Sequence, residues 1–222
     1  YQQVPGSTSG NFFDVSRMKH YRDIPKNLNV YISTDHAITG NGDYNSITVW
    51  GIDHLGDYYL LDYFNEKVSL IEALGLDPDD EKKLKSRGLL PFIKKWKPII
   101  IFPENDNAFK SIEPVIRQKM MFHKLMTKIT PIPTHGGNKM VKAQAFQLAI
   151  EQGKVFLPLN LDSVCVDQLS NFPLSKNDDF IDACSNFFRA RVFQPAVVVK
   201  SEKPKTFDYP FAQAQDSFGL YS

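Results

Sequence analysis

Along residues 29–36, Val30, Ile32 and Thr34 alternate with Tyr31, Ser33 and Asp35, and this period of two predicts a strand. Two further strands are predicted at 46–53 (SITVWGID) and 57–64 (DYYLLDYF). The short turn His54-Leu55-Gly56 between them fits an antiparallel meander. The pattern then lengthens. A helical stretch is predicted from Glu66, through a loop at Asp77-Pro78, into 79–96. Residues 97–102 (KPIIIF) form a short, almost wholly apolar run, as expected of a strand covered on both faces. Phe109, Ile112 and Ile116 repeat at helical spacing, with Pro114 predicting a kink or a new start. Beyond them come a strand candidate at 128–133, a helix over 139–151 ending at Gly153, and a short extended piece at 154–157. The last helix is predicted to start near Asp178, with Phe180, Ala183, Cys184 and Phe187 on one face.

Three meander strands followed by strand–helix units and a closing helix predict an α/β domain. The order fits an RNase H-like mixed five-stranded sheet, antiparallel first and parallel after, flanked by helices. The predicted division is an arm or linker over 1–27, where Gly6 to Gly10 is linker-like, a nuclease-sized domain over 28–193, and an extension or tail over 194–222 with scattered prolines and aromatics.

Composition narrows the class. An apolar fraction of 42% and a charged fraction of 23% are those of a soluble globular protein. No apolar run approaches the roughly 20 residues needed to span a bilayer, and no signal peptide is expected. Cys165 and Cys184 lack CxxC spacing, which argues against a disulfide framework or structural zinc, and their apolar neighbours predict buried thiols. A net charge of +1 neither demands nor excludes nucleic acid. Its distribution is uneven: Lys82, Lys83, Lys85, Arg87, Lys94, Lys95 and Lys97 crowd one stretch, Arg117, Lys119, Lys124 and Lys128 another. These read either as solvated faces or as a cationic grip.

Three acidic groups carry the candidate chemistry. Asp35 ends the first strand, where it can reach over the sheet edge or cap a turn. Glu104 follows the buried run Ile99 to Pro103, and Asn105 or Asp106 beside it can cap the next helix. In Asn177-Asp178-Asp179-Phe180-Ile181-Asp182, the pairs 179/182 and 178/182 share a helix face, where like charges repel unless a cation intervenes. Asp178 also stands where a helix cap is expected. Oxygen ligands of this kind suit Mg²⁺ or Mn²⁺, and two such ions can cut a phosphodiester. No GxxxxGK[ST] loop and no HExxH spacing occurs.

These residues also carry a resemblance. Ser33-Thr34-Asp35-His36-Ala37, Asp43-Tyr44 before Ile47 to Gly51, Ile101-Phe102-Pro103-Glu104-Asn105, Lys139 to Gln144 leading to Gly153 to Pro158, and Asn177 to Ala183 resemble the C-terminal nuclease domain of large terminase subunits of tailed bacteriophages and related viruses. The likeness covers most of residues 11–190. Two positions depart from it: Asn177 stands where many relatives carry His, and Lys142 where Arg is usual. The resemblance implies that Asp35, Glu104 and Asp179 are catalytic and bind two Mg²⁺ or Mn²⁺ ions, with Asp178 and Asp182 as further ligands. It implies Asp43 as a supporting residue, and Lys139 and Lys142 as phosphate contacts. Implied partners are double-stranded DNA, an ATPase domain not found in this sequence, a small terminase subunit and a portal protein, with no membrane, in the cytoplasm of an infected host cell. The expected activity is endonucleolytic cutting of concatemeric DNA during genome packaging. Two other readings stay open: a recombination nuclease of the transposase or resolvase type, and a non-catalytic DNA- or portal-binding module.

Overall fold

A computed structural model describes residues 12–36, 44–77, 80, 82–134, 138–190 and 195–196. The meander forms as its alternation predicts, as β2 (Asn29–Asp35), β3 (Asn45–Ile52) and β4 (Tyr58–Glu66), paired antiparallel. The β3–β4 turn is tied by Asp53, whose Oδ1 accepts the backbone N–H of Leu55 and of Asp57, each at 2.9 Å. On the other edge of β2 lie β5 (Ile100–Pro103) and then β6 (Lys128–Ile129), both parallel to their neighbours. This antiparallel-then-parallel arrangement is the RNase H-like one.

The sheet has seven strands where five are predicted. β7 (Val155–Pro158) pairs parallel with the free edge of β4, and β1 (Lys19–Tyr21) pairs parallel with β7. Their spatial order is β1-β7-β4-β3-β2-β5-β6. The arm predicted over 1–27 is therefore structural where it is described. β1 escapes a periodicity search because it is an edge strand with mostly exposed side chains. Phe13 before it is fully buried, packed on Phe146 and Phe172.

Helices cover both faces. α1 (Leu70–Ala73), α2 (Leu89–Trp96) and α3 (Asn107–Phe122) pack on the face carrying Ile32, Ile47, Val49, Leu61 and Ile101. α4 (Lys139–Glu151), α5 (Ser163–Asn171) and α6 (Asp179–Arg189) cover Tyr31, Trp50, Leu60, Ile100 and Phe102 on the other. The helical stretch predicted from Glu66, through a loop at Asp77-Pro78, into 79–96 forms only as the short α1 and α2. Gly75 and Gly88 adopt φ of 76° and 122°, and a bridge between Leu76 and Leu84 replaces the middle. α3 runs through Pro114 without a break in assignment. α5 has no counterpart in the predicted elements. No helix among the described residues is long and apolar enough to cross a membrane. Both cysteines are buried and free.

Four cations of the lysine-rich stretch pair with carboxylates at the surface. Lys83 pairs with Asp80, Lys85 with Glu72, Arg87 with Glu66, and Lys95 with Asp62 at 2.8 Å. These pairs favour the solvated-face reading over a free grip.

Candidate active site

The site follows from strand parity. In β2, Tyr31, Ser33 and Asp35 share a face, and in β5 Ile100 and Phe102 share that same face. The parallel register joins Ser33 to Phe102 and Thr34 to Pro103. One step further sets Asp35 beside Glu104, both at the carboxyl ends of adjacent parallel strands, where open α/β sheets bind ligands. Glu104 is buried and held by a bridge to Ile132.

α6 lies across this edge, and a relay of hydrogen bonds holds it there. Trp50 Nε1 donates to Thr48 Oγ1 (3.1 Å), Thr48 and Ser33 hydroxyls meet at 2.8 Å, and Ser33 Oγ donates to the Ala183 carbonyl (2.7 Å). Asn186 Nδ2 donates to the Thr34 carbonyl at 3.2 Å. The otherwise apolar helix thereby turns one polar stripe, Asp179, Asp182, Asn186 and Arg189, toward the ends of β2 and β5. Asp178 occupies the N-cap position, yet its carboxylate makes no cap bond and pairs with Lys139 at 2.6 Å. Gln168 of α5 takes over the cap, accepting the Phe180 N–H at 3.0 Å. Gln168→Ala is expected to cost about 1 kcal/mol of stability, as lost caps do, read from the denaturation midpoint.

Burial and the neighbouring charges act on the carboxyls of this edge. Burial, and then the charges of Asp182, Asp179, Glu104 and Asp106, push the Asp35 carboxyl well above the usual range. Asp182 is pushed up to about 6 by burial and by Asp178 and Glu104, against the opposing pull of Lys142 and Lys139. Its Oδ1 is buried without a hydrogen-bond partner among the described residues. Burial also lowers His36, next to Asp35, to about 4, so it stays neutral near pH 7. A carboxyl raised in the fold binds its proton more tightly there than in the unfolded chain. In the metal-free protein, stability present near pH 4 should therefore fall as pH rises toward 6, by on the order of 2 kcal/mol from Asp182. Asp35 extends the loss to higher pH, and thermal melts in EDTA across pH 4–8 read it.

Every predicted site residue but Asp43 lies among the described residues. Asp35, Glu104, Asp179 and Asp182 gather at one edge; Asp178 sits at its rim with Lys139. Lys142, on the first turn of α4, points inward, its Nζ 3.0 and 3.4 Å from the two Glu104 oxygens. Arg189 approaches Glu104 from the other side at 3.8 Å. Asp43 lies outside the described residues, as do 1–11 of the arm and 197–222 of the tail. Asp106 caps α3, accepting the Phe109 N–H at 2.7 Å.

Three contributors escape the sequence motifs. Asn186 and Arg189 follow Asp179 and Asp182 at helical spacing, a signal visible once the stripe is counted. Ser46 is paired directly opposite Asp35, fully buried, with no partner for its hydroxyl among the described residues, and only the register identifies it.

The donor set suits a hard divalent cation: carboxylate oxygens, one of them buried and unpartnered, with neither thiolate nor imidazole among them. Among the described residues, no three acidic, His or Cys side chains are gathered tightly enough to hold one ion as they stand. Glu104 is paired with Lys142, and Asp178 with Lys139.

No protein-family model matches the chain, and no curated protein matches it in sequence. Solved structures overlap part of it. The yeast mitochondrial Holliday junction resolvase Ydc2 is 12% identical with a TM-score of 0.40, over 72% of this chain and 78% of that one. The fowlpox virus Holliday junction resolvase is 13% identical with a TM-score of 0.39, over 72% and 93%. RuvC of T. thermophilus, in complex with Holliday junction substrate, is 11% identical with a TM-score of 0.39, over 72% and 91%. At that level of overlap the fold is defined by this chain's own strand order.

Proposed function

We propose that the chain is a divalent-metal-dependent nuclease acting on DNA. The observation that carries this reading is the meeting of Asp35, Glu104, Asp179 and Asp182 at one sheet edge, where burial first, and then the neighbouring charges, push the Asp35 carboxyl up. Asp35, Glu104 and Asp179, with Asp182 beside them, are the residues that would hold Mg²⁺ or Mn²⁺. Ions bound there supply Lewis-acid activation of the attacking water and charge relief at the leaving oxygen. The protein's own part is orientation. The relay from Trp50 to Ala183 and the Asn186–Thr34 bond keep the acidic stripe of α6 over the strand ends. Lys139, 56% exposed, stands at the rim where a DNA phosphate can exchange for Asp178.

The test is nicking of supercoiled plasmid at millimolar Mn²⁺. No nicking and no calorimetric Mn²⁺ binding would move the assignment to a DNA- or portal-binding module. The substrate separates the two nuclease readings. The terminase-like motifs favour cutting of linear duplex with little sequence preference; a strong preference for four-way junctions over linear duplex would make it a recombination nuclease instead.

A further inference from the structure

Glu104 is neutralised by two cations that are held in different ways. Arg189 is fixed: its guanidinium donates to Asn186 Oδ1 at 2.9 Å and to the Pro133 carbonyl, with its side chain 10% exposed. Lys142 is held at one end only. Its ammonium bridges both Glu104 oxygens, the side chain is 17% exposed, and its charge also acts on Asp182. A lysine ammonium on a flexible four-carbon stem can leave such a pair without breaking other contacts, whereas a planar guanidinium bound to three groups cannot. The pair is nearly buried, so removing Lys142 with nothing to replace it would leave Glu104 with Arg189 alone, at 3.8 Å. A second cation arriving at the acidic edge changes that balance, because it takes over the neutralisation.

Resting on the metal-dependent reading above, we propose that Lys142 is an exchangeable internal cation: it holds Glu104 while the metal is absent, yields Glu104 to the divalent ion, and is released to meet a DNA phosphate. The lysine and the metal are then competitors for one carboxylate, and the lysine's phosphate contact is made only in the loaded state. Arg189 remains on Glu104 throughout as a positioning residue.

Two measurements test this. In the wild-type protein, acetylation of lysines by an amine-reactive ester is followed by mass spectrometry with and without Mg²⁺. Lys142 should be protected in EDTA and label about fivefold faster or more with Mg²⁺, while Lys95, paired with Asp62 on the opposite face, stays constant. In calorimetry, Lys142→Met should bind Mn²⁺ about tenfold more tightly or better, the scale set by loss of one competing ion pair. If wild-type protein binds Mn²⁺ while Lys142 labelling does not change, or if Lys142→Met binds it equally or more weakly, the exchange is refuted and the nuclease reading stands. Binding by the variant alone supports the exchange in its strongest form. Binding by neither, with no change in labelling, overturns the metal-dependent reading and this proposal together. Should Lys142→Met not fold, the labelling of the wild-type chain decides.

Discussion

Asp35→Asn is expected to lower Mn²⁺-supported plasmid nicking by about a thousandfold or more, with the fold retained. Loss of a ligand that helps hold the ion forfeits several kcal/mol of transition-state stabilisation, and about 4 kcal/mol corresponds to that factor. The same substitution should not weaken the metal-free protein. Asp35 faces Asp182, Asp179, Glu104 and Asp106, and its neutral amide analogue no longer has to be ionised among them. The variant's melting temperature in EDTA should therefore equal or exceed that of the wild type at pH 8 and show a shallower decline with pH. Full nicking activity in Asp35→Asn would remove the residue from the machinery. A collapse in its stability would show instead that the carboxylate is structural.

Phe187→Ala gives the opposite signature, a loss of about 3–5 kcal/mol of stability, as large aromatic-to-alanine changes in cores do. Phe187 is fully buried, stacked on Trp50 at 5.2 Å with nearly parallel rings, and packed also on Tyr31 and Tyr58. Trp50 starts the hydrogen-bond relay that fixes α6, so the vacated space loosens the helix bearing Asp179 and Asp182. Activity should fall in step with the folded fraction, read from denaturant midpoints and nicking rates on the same preparation. Unchanged stability in Phe187→Ala would mean that α6 is not seated on the sheet as described.

Much of the fold is legible in the chain because the meander strands and α6 have strong periodicity, β5 is a short apolar run, and α4 is closed by Gly153. β2 to β4, β5, α4 and α6 fall within a few residues of their predicted places. The carboxylates Asp35 and Glu104 are legible for the same reason, since each ends a recognisable strand. What was hidden has local causes. Gly75 and Gly88 break the 66–96 stretch through left-handed backbone that an apolar pattern does not register. α5 has exposed Val164 and Val166 beside buried Cys165, so no clean face stands out. Asp178 looks like a cap, and only the tertiary contact with Gln168 frees it for Lys139. The inward turn of Lys142 onto Glu104 is likewise a tertiary fact, unavailable to a reading in which the two lie far apart in sequence.

The acidic edge draws on β2, the end of β5 and the start of α6, three elements separated by most of the domain's length. During synthesis, Asp35 leaves the ribosome long before Asp179 and Asp182 exist. A growing or partly unravelled polypeptide therefore carries isolated acidic side chains and no assembled acidic edge. Because its last component arrives with the closing helix, the acidic cluster exists only once the domain is folded to its end.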